Sequence, residues 1–141
     1  TMSYDLGLYI NRKEAKKYGE MCKVEHFEDG GTHVMGGTDE ADFNITYNYS
    51  FFYYHFLDKK RGLRWLYLRR AGDCIERMEK AVEILGTKQR EEYLPGYDFM
   101  HPDPDLIQLN YWADTPGNAG HALNRLLQWA KQHPEGFFNG D

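Results

Sequence analysis

The sequence predicts an α+β fold, an antiparallel sheet of about four strands packed against two main amphipathic helices, and three observations predict it. Tyr4, Leu6, Leu8 and Ile10 alternate as one face of a strand. Asp29-Gly30 sits between two short extended stretches, as a hairpin turn requires. Apolar residues recur at helical spacing twice, after Gly72 and after Pro116. A sheet face and an amphipathic helix face are both apolar on one side only, so each buries itself against the other. At 141 residues the chain fits a single domain, 1–141, that can hold a core without staples. The hydrophobic fraction is 41%, but 11 Tyr, 8 Phe and 3 Trp supply side chains that each bury much area and leave aromatic groups for the surface.

Taken in order, Tyr4 to Ile10 is the first strand. Asn11 can cap a short helix, Arg12 to Tyr18, with Gly19 placed as its terminator. Met21 to Phe27 and Thr32 to Met35 read as two antiparallel strands around Glu28-Asp29-Gly30-Gly31, and Gly36 to Glu40 as a flexible connector. Asn44, Thr46, Asn48 and Ser50 then alternate with Ile45, Tyr47, Tyr49 and Phe51, which in an extended chain puts four hydrogen-bonding side chains on one face. Phe51 to Leu57 is too densely aromatic for periodicity to separate helix from strand.

The clearest elements come later. Ile75, Met78, Val82 and Leu85 recur at helical spacing, with Asp73 in the first turn and Gly86 after the last apolar residue. Tyr93 to Asp105 is an irregular, Pro-rich loop, and Leu106 to Trp112 reads as a short strand or a helical turn. Thr115 is a suitable N-cap with Pro116 at the first helical position, after which Ala119, Ala122, Leu123, Leu126, Leu127 and Ala130 form an apolar face that His133-Pro134 terminates.

Charge and cysteine usage exclude several classes. A formal net charge of -5 argues against broad binding to a nucleic-acid backbone, which requires a positive field. Lys59, Lys60, Arg61, Arg64, Arg69 and Arg70 form a local basic stretch that is either an anion patch or a solvated face. Cys22 and Cys74 alone make no disulfide framework or zinc spacing, which fits a reducing cytosol. The start carries no basic region followed by an apolar one, and no apolar run approaches the roughly 20 residues that span a bilayer, so a soluble, cytoplasmic protein is expected. Thr1 ahead of Met2 reads as a cloning remnant.

Candidate chemistry concentrates in two segments. Asn44, Thr46 and Asn48 offer amides and hydroxyls that either cross-link neighbouring backbone or recognise a polar ligand. Thr115, Gly117 and Asn118 either simply start a helix or expose amides to an anion, with Asp114 opposing the latter, and His121 follows one turn later on the side of Asn118. Such groups suit binding rather than turnover, since they supply no tuned acid, base or nucleophile. Ser50 and His55 lack a nucleophile elbow, Gly30-Gly31 and Gly36-Gly37 lack the helix and lysine of a phosphate loop, and the six histidines show no metal spacing. Asp103 and Asp105 could hold a hard cation or only solvate their loop. No metal and no cofactor are therefore expected.

Several of these segments also resemble a family. Ser3-Tyr4-Asp5-Leu6, Gly36-Gly37-Thr38-Asp39-Glu40-Ala41 with Asn44 to Ser50, and Tyr111-Trp112 with Thr115 to Ala119, Trp129-Ala130 and Asp141 resemble short uncharacterised proteins of phages and prophages. The resemblance covers most of the chain, and the loop from Leu94 to Asp105 is the more individual part. It implies no particular activity, but it implies a protein of the bacterial host cytoplasm, action against a defence system being one form. Two functions follow as expectations. One is a non-enzymatic accessory protein that binds a host protein, an anti-CRISPR or similar defence inhibitor being one form. The other is a binder or processor of a small polar or anionic, nucleotide-like ligand held by Asn44, Thr46, Asn48, Thr115, Gly117, Asn118 and His121.

Overall fold

The computed structural model of the chain describes residues 3–24, 28–29, 32–34 and 39–141. Its strands are β1 (Ser3–Tyr9), β2 (Glu28–Asp29), β3 (Thr32–Val34), β4 (Asp42–Thr46), β5 (Glu91–Tyr93), β6 (Ile107–Leu109) and β7 (Phe137–Gly140). Its helices are α1 (Arg12–Lys16), α2 (Ser50–Phe56), α3 (Ala71–Leu85) and α4 (Pro116–Gln132). Five strands make one antiparallel sheet in the order β2-β3-β4-β1-β7, and β5 pairs with β6 in a separate two-stranded arm. The α+β architecture read from the sequence is thus the observed one.

Register explains which face is buried. Leu6 pairs with Phe43, Tyr4 with Ile45 and Leu8 with Phe138, so these side chains share one sheet face, and all six are at most 2% exposed. The apolar faces of α3 (Cys74, Met78, Ala81, Leu85) and α4 (Ala122, Leu123, Leu126, Trp129) join that face in one cluster. The Trp129 ring lies 5.1 Å from the ring of Phe43. Each such large side chain contributes roughly 1.5–3 kcal/mol on burial, so this layer holds the domain together.

The two long helices run close to their expected bounds. Gly86, at φ 74°, ends α3 in a conformation that a side chain would resist. Thr115 caps α4 by accepting from the Asn118 amide, and Pro116 occupies the first turn. α1 is also capped as expected, Asn11 accepting from Glu14, but it stops at Lys16 and its left-handed residue is Tyr18, not Gly19. A tertiary contact holds that conformation: the Tyr18 hydroxyl donates to the Gly140 carbonyl, and its ring meets that of Tyr9.

Three segments differ from expectation. The strand expected over Met21 to Phe27 is, over residues 21–24, a splice: Cys22 donates to Leu8, Ala41 donates to Cys22, and Val24 donates to Asp39. This leaves only the bridges Tyr9–Met21 and Lys23–Glu40, and residues 25–27 lie outside the described residues. The hairpin pairing itself is present, Glu28 opposite His33 and Asp29 opposite Thr32, while its turn at Gly30-Gly31 and most of the Gly36 to Glu40 connector lie outside the described residues. The extended run from Asn44 to Ser50 ends at Thr46: residues Tyr47–Tyr49 form a 3-10 turn, and Phe51 to Leu57 continues as α2. The fifth sheet strand, β7, was not anticipated. It pairs with β1 on one side, while Leu68 donates to Phe138 and Phe138 donates to Arg69 on the other.

The close approach of the linker after α3 to α4 depends on two glycines. A Cβ built at Gly120 would lie 1.7 Å from the Gly86 carbonyl oxygen, and one at Gly117 would lie 1.8 Å from that of Lys88. Gly120→Ala should therefore destabilise the protein by about 2 kcal/mol or more through overpacking. Thermal unfolding checks this by sign, because without that contact Ala inside a helix would be stabilising by up to about 1 kcal/mol.

Candidate functional site

The two segments singled out by sequence meet in the folded chain, through hydrogen bonds from the central segment to the backbone leading into α4. The Asn48 side-chain amide donates to the Trp112 carbonyl at 2.6 Å, the Tyr49 hydroxyl to the Tyr111 carbonyl, and the buried Tyr53 hydroxyl to the Ala119 carbonyl at 2.9 Å. Tyr49, at the end of the 3-10 turn, and Tyr53, one turn into α2, have rings 6.3 Å apart. Burial raises both phenols' pKa values, Tyr53 most strongly, so they act as neutral donors.

Asn118 sits at the centre of this seam, 1% exposed. Its Oδ1 accepts from the Arg90 amide at 2.9 Å, and its Nδ2 donates to the carbonyls of Asn110 and Ala113, each at 2.9 Å. Both amide hydrogens are thereby committed within the chain. Its own backbone amide goes to Thr115 Oγ1 at 3.2 Å. Gly117 lies under the Lys88 carbonyl, which presents its negative end to the start of α4. At this helix start the Asn118 amide is thus capped by Thr115 and the Lys88 carbonyl oxygen lies against Gly117.

The remaining candidates divide between two places. Thr46 is 1% exposed and caps the 3-10 turn, accepting from Asn48. His121 lies half-buried on α4, one turn beyond Gly117. Asn44 is separated from them, because alternation places it on the sheet face opposite Phe43 and hence opposite α4. There it donates to Ser3 Oγ and Asp5 Oδ1. The same side carries a hollow of about 290 Å³ lined by Asp5, Asp42, Asp141, Tyr9, Tyr18 and Met21.

Thr115 and Gly117 also line a larger open groove, about 500 Å³, with Leu85, Lys88, Arg90 and Tyr93. Its wall is the linker between α3 and β5. No group of three or more His, Cys, Asp or Glu suited to a metal is found among the described residues. No described helix is long and apolar enough to cross a membrane. Half of the expected basic stretch is engaged: Arg64 donates to the Tyr47 hydroxyl at 3.1 Å, Arg69 lies over the Trp65 ring at 4.3 Å and Arg70 pairs with Asp73 at 3.3 Å, while Lys59, Lys60 and Arg61 are exposed.

Sequence reasoning reads Tyr93 to Asp105 as an irregular loop and weighs only Asp103 and Asp105 there, not its aromatic residues. Exposed aromatic and thioether side chains gather there: Phe99 is 71% exposed, Met100 83% and Trp112 53%. The signal available was the density of aromatic residues among prolines. No family model matches the chain, and no curated protein or solved structure matches it.

Asn118→Ala should cost about 2–4 kcal/mol in urea unfolding, since it removes three part-buried hydrogen bonds to backbone groups, whereas exposed Asn48→Ala should cost about 1 kcal/mol or less. Equal, negligible losses would show that the seam does not support the fold. A second prediction concerns pH. Burial first, then Asp5 and Glu40, raises the Asp42 pKa above 3.8. The folded chain therefore holds that proton more tightly than the unfolded chain, and its contribution to stability is full below 3.8 and lost as pH rises through the folded value. Asp42→Asn should unfold at higher urea than the parent at pH 7, with the difference closing as pH falls below 3.8.

Proposed function

We propose that this is a non-enzymatic accessory protein of a phage or prophage that works by binding a host protein in the bacterial cytoplasm, inhibition of a defence system being one form of that action. The observation that carries the reading is uncovered aromatic surface in two places. On α2, Phe51 is 60% exposed beside Tyr54, His55 and Phe56, and on the arm Phe99, Met100 and Trp112 are more than half exposed. Burying such rings is favourable by roughly 25 cal/mol per Å² of apolar area, and aromatic residues and Met are enriched at protein interfaces. The likeness to phage and prophage proteins supplies the setting.

A specific observation also favours the second reading, a small anionic ligand. The groove beside α4 is lined by the cationic residues Lys88 and Arg90 together with Thr115. Native mass spectrometry of the tagged protein isolated from bacterial lysate separates the two. The expected result is a stoichiometric host protein that leaves on denaturation. A bound mass of a few hundred daltons, abolished by Lys88→Ala with Arg90→Ala, would replace this reading with the second.

A further inference from the structure

We infer that the arm from Glu91 to Asp114 is the docking element and that its partner is a protein presenting a basic surface with an apolar notch. This rests on the protein-binding reading and narrows it to one surface and one partner chemistry.

The arm is built unlike the rest of the domain. The core cluster passes from Leu85 directly to Ala119, so none of the residues between them enters it. Yet this stretch holds Tyr93, Tyr97, Phe99, Tyr111 and Trp112. Those rings pack on one another: Tyr93, Tyr97 and Phe99 form a triangle with centroid separations of 4.6, 4.9 and 5.0 Å, and Tyr111 and Trp112 lie 4.9 Å apart. An aromatic cluster that serves no core and stands open to water fits an interface centre.

Charge identifies the partner. From Glu91 to Asp114 the sequence has six acids (Glu91, Glu92, Asp98, Asp103, Asp105, Asp114) and no Lys or Arg. Against a whole-chain charge of -5, this leaves the rest of the chain close to neutral. An acidic rim around apolar rings repels nucleic acid and anionic bilayers, and it complements a basic protein surface.

The tip is also held in shape before any partner arrives. Asp98 accepts from the Met100 amide and binds His101 Nδ1, each at 2.9 Å, and Asp103 accepts from the Asp105 amide. Gly96, at φ 91°, makes the turn at Pro95. At the base, the Asn110 side chain donates to Glu92 and the Asn118 clasp joins residues 90, 110 and 113. A surface held in this way loses little freedom on binding.

The test places a photo-crosslinking benzoylphenylalanine at position 99 of the full chain, and separately at position 51 on α2, and irradiates each in bacterial lysate. We expect position 99 to join one host protein through a Lys- and Arg-bearing segment. The yield should fall about tenfold when Asp105→Lys and Asp114→Lys are combined, and similarly when salt is raised from about 0.05 to 0.5 M. Met100→Ser, which alters no charge or backbone bond, should also reduce it, and unchanged thermal unfolding of each variant shows that the fold persists. Capture from position 51 alone overturns the arm while leaving the protein-binding reading in place. Capture from neither position overturns both. A partner segment without basic residues, a nucleic-acid adduct, or a yield indifferent to the charge reversal overturns this inference.

Discussion

The hydrogen-bonded seam around Asn118 is the constraint on which the other features rest. A buried amide in an apolar layer is costly unless its polar atoms are paired, and pairing here requires three separate stretches of backbone to arrive together. That requirement fixes the end of the α3–β5 linker, the return of the arm and the first turn of α4 at one point. Tyr49, Tyr53 and Asn48 extend the seam to the segment leaving β4. Gly117 and Gly120 permit it, because only residues without a Cβ let the linker carbonyls approach α4 so closely.

From that point the molecule divides into two parts with different physics. One is a layered core in which β1, β4 and β7 present Tyr4, Leu6, Leu8, Phe43, Ile45 and Phe138 to α3 and α4. The other is an arm whose rings pack on one another and whose tip is held by short local bonds from Asp98 and Asp103, while its base is tied to the core by Asn48, Tyr49 and Asn118. Core stability and arm chemistry are thereby separable, which lets the exposed surface differ in charge and composition from the domain that carries it.

The opposite sheet face has a different character. Register brings Asp5, Asp42 and Asn44 together there, and Asn139 donates to the Ala15 carbonyl, tying α1 across β7. Burial first, and then repulsion from Asp5 and Glu40, raises the Asp42 pKa and makes this face a source of pH sensitivity. Asn44 belongs to this network, and that is why it stands apart from Asn48 although sequence alternation groups the two.

The sequence by itself determined the elements whose signals are local. Helical spacing with Gly86 bounded α3, Thr115-Pro116 and His133-Pro134 bounded α4, alternation marked β1, and the acidic balance was plain from composition. Only tertiary structure decided the rest. Thr46 ends its strand because its hydroxyl caps the following turn and the next residues coil towards α4, a choice that alternation alone does not reveal. Phe137–Gly140 becomes a strand because β1 and the Leu68–Arg69 backbone offer it partners on both sides. Asn118 and Asn48 turn inward to the chain's own carbonyls for a similar reason. A side-chain amide bonds to whichever partner the fold brings within about 3 Å, and for Asn48 with Trp112 and Asn118 with Arg90 that partner lies far away in sequence.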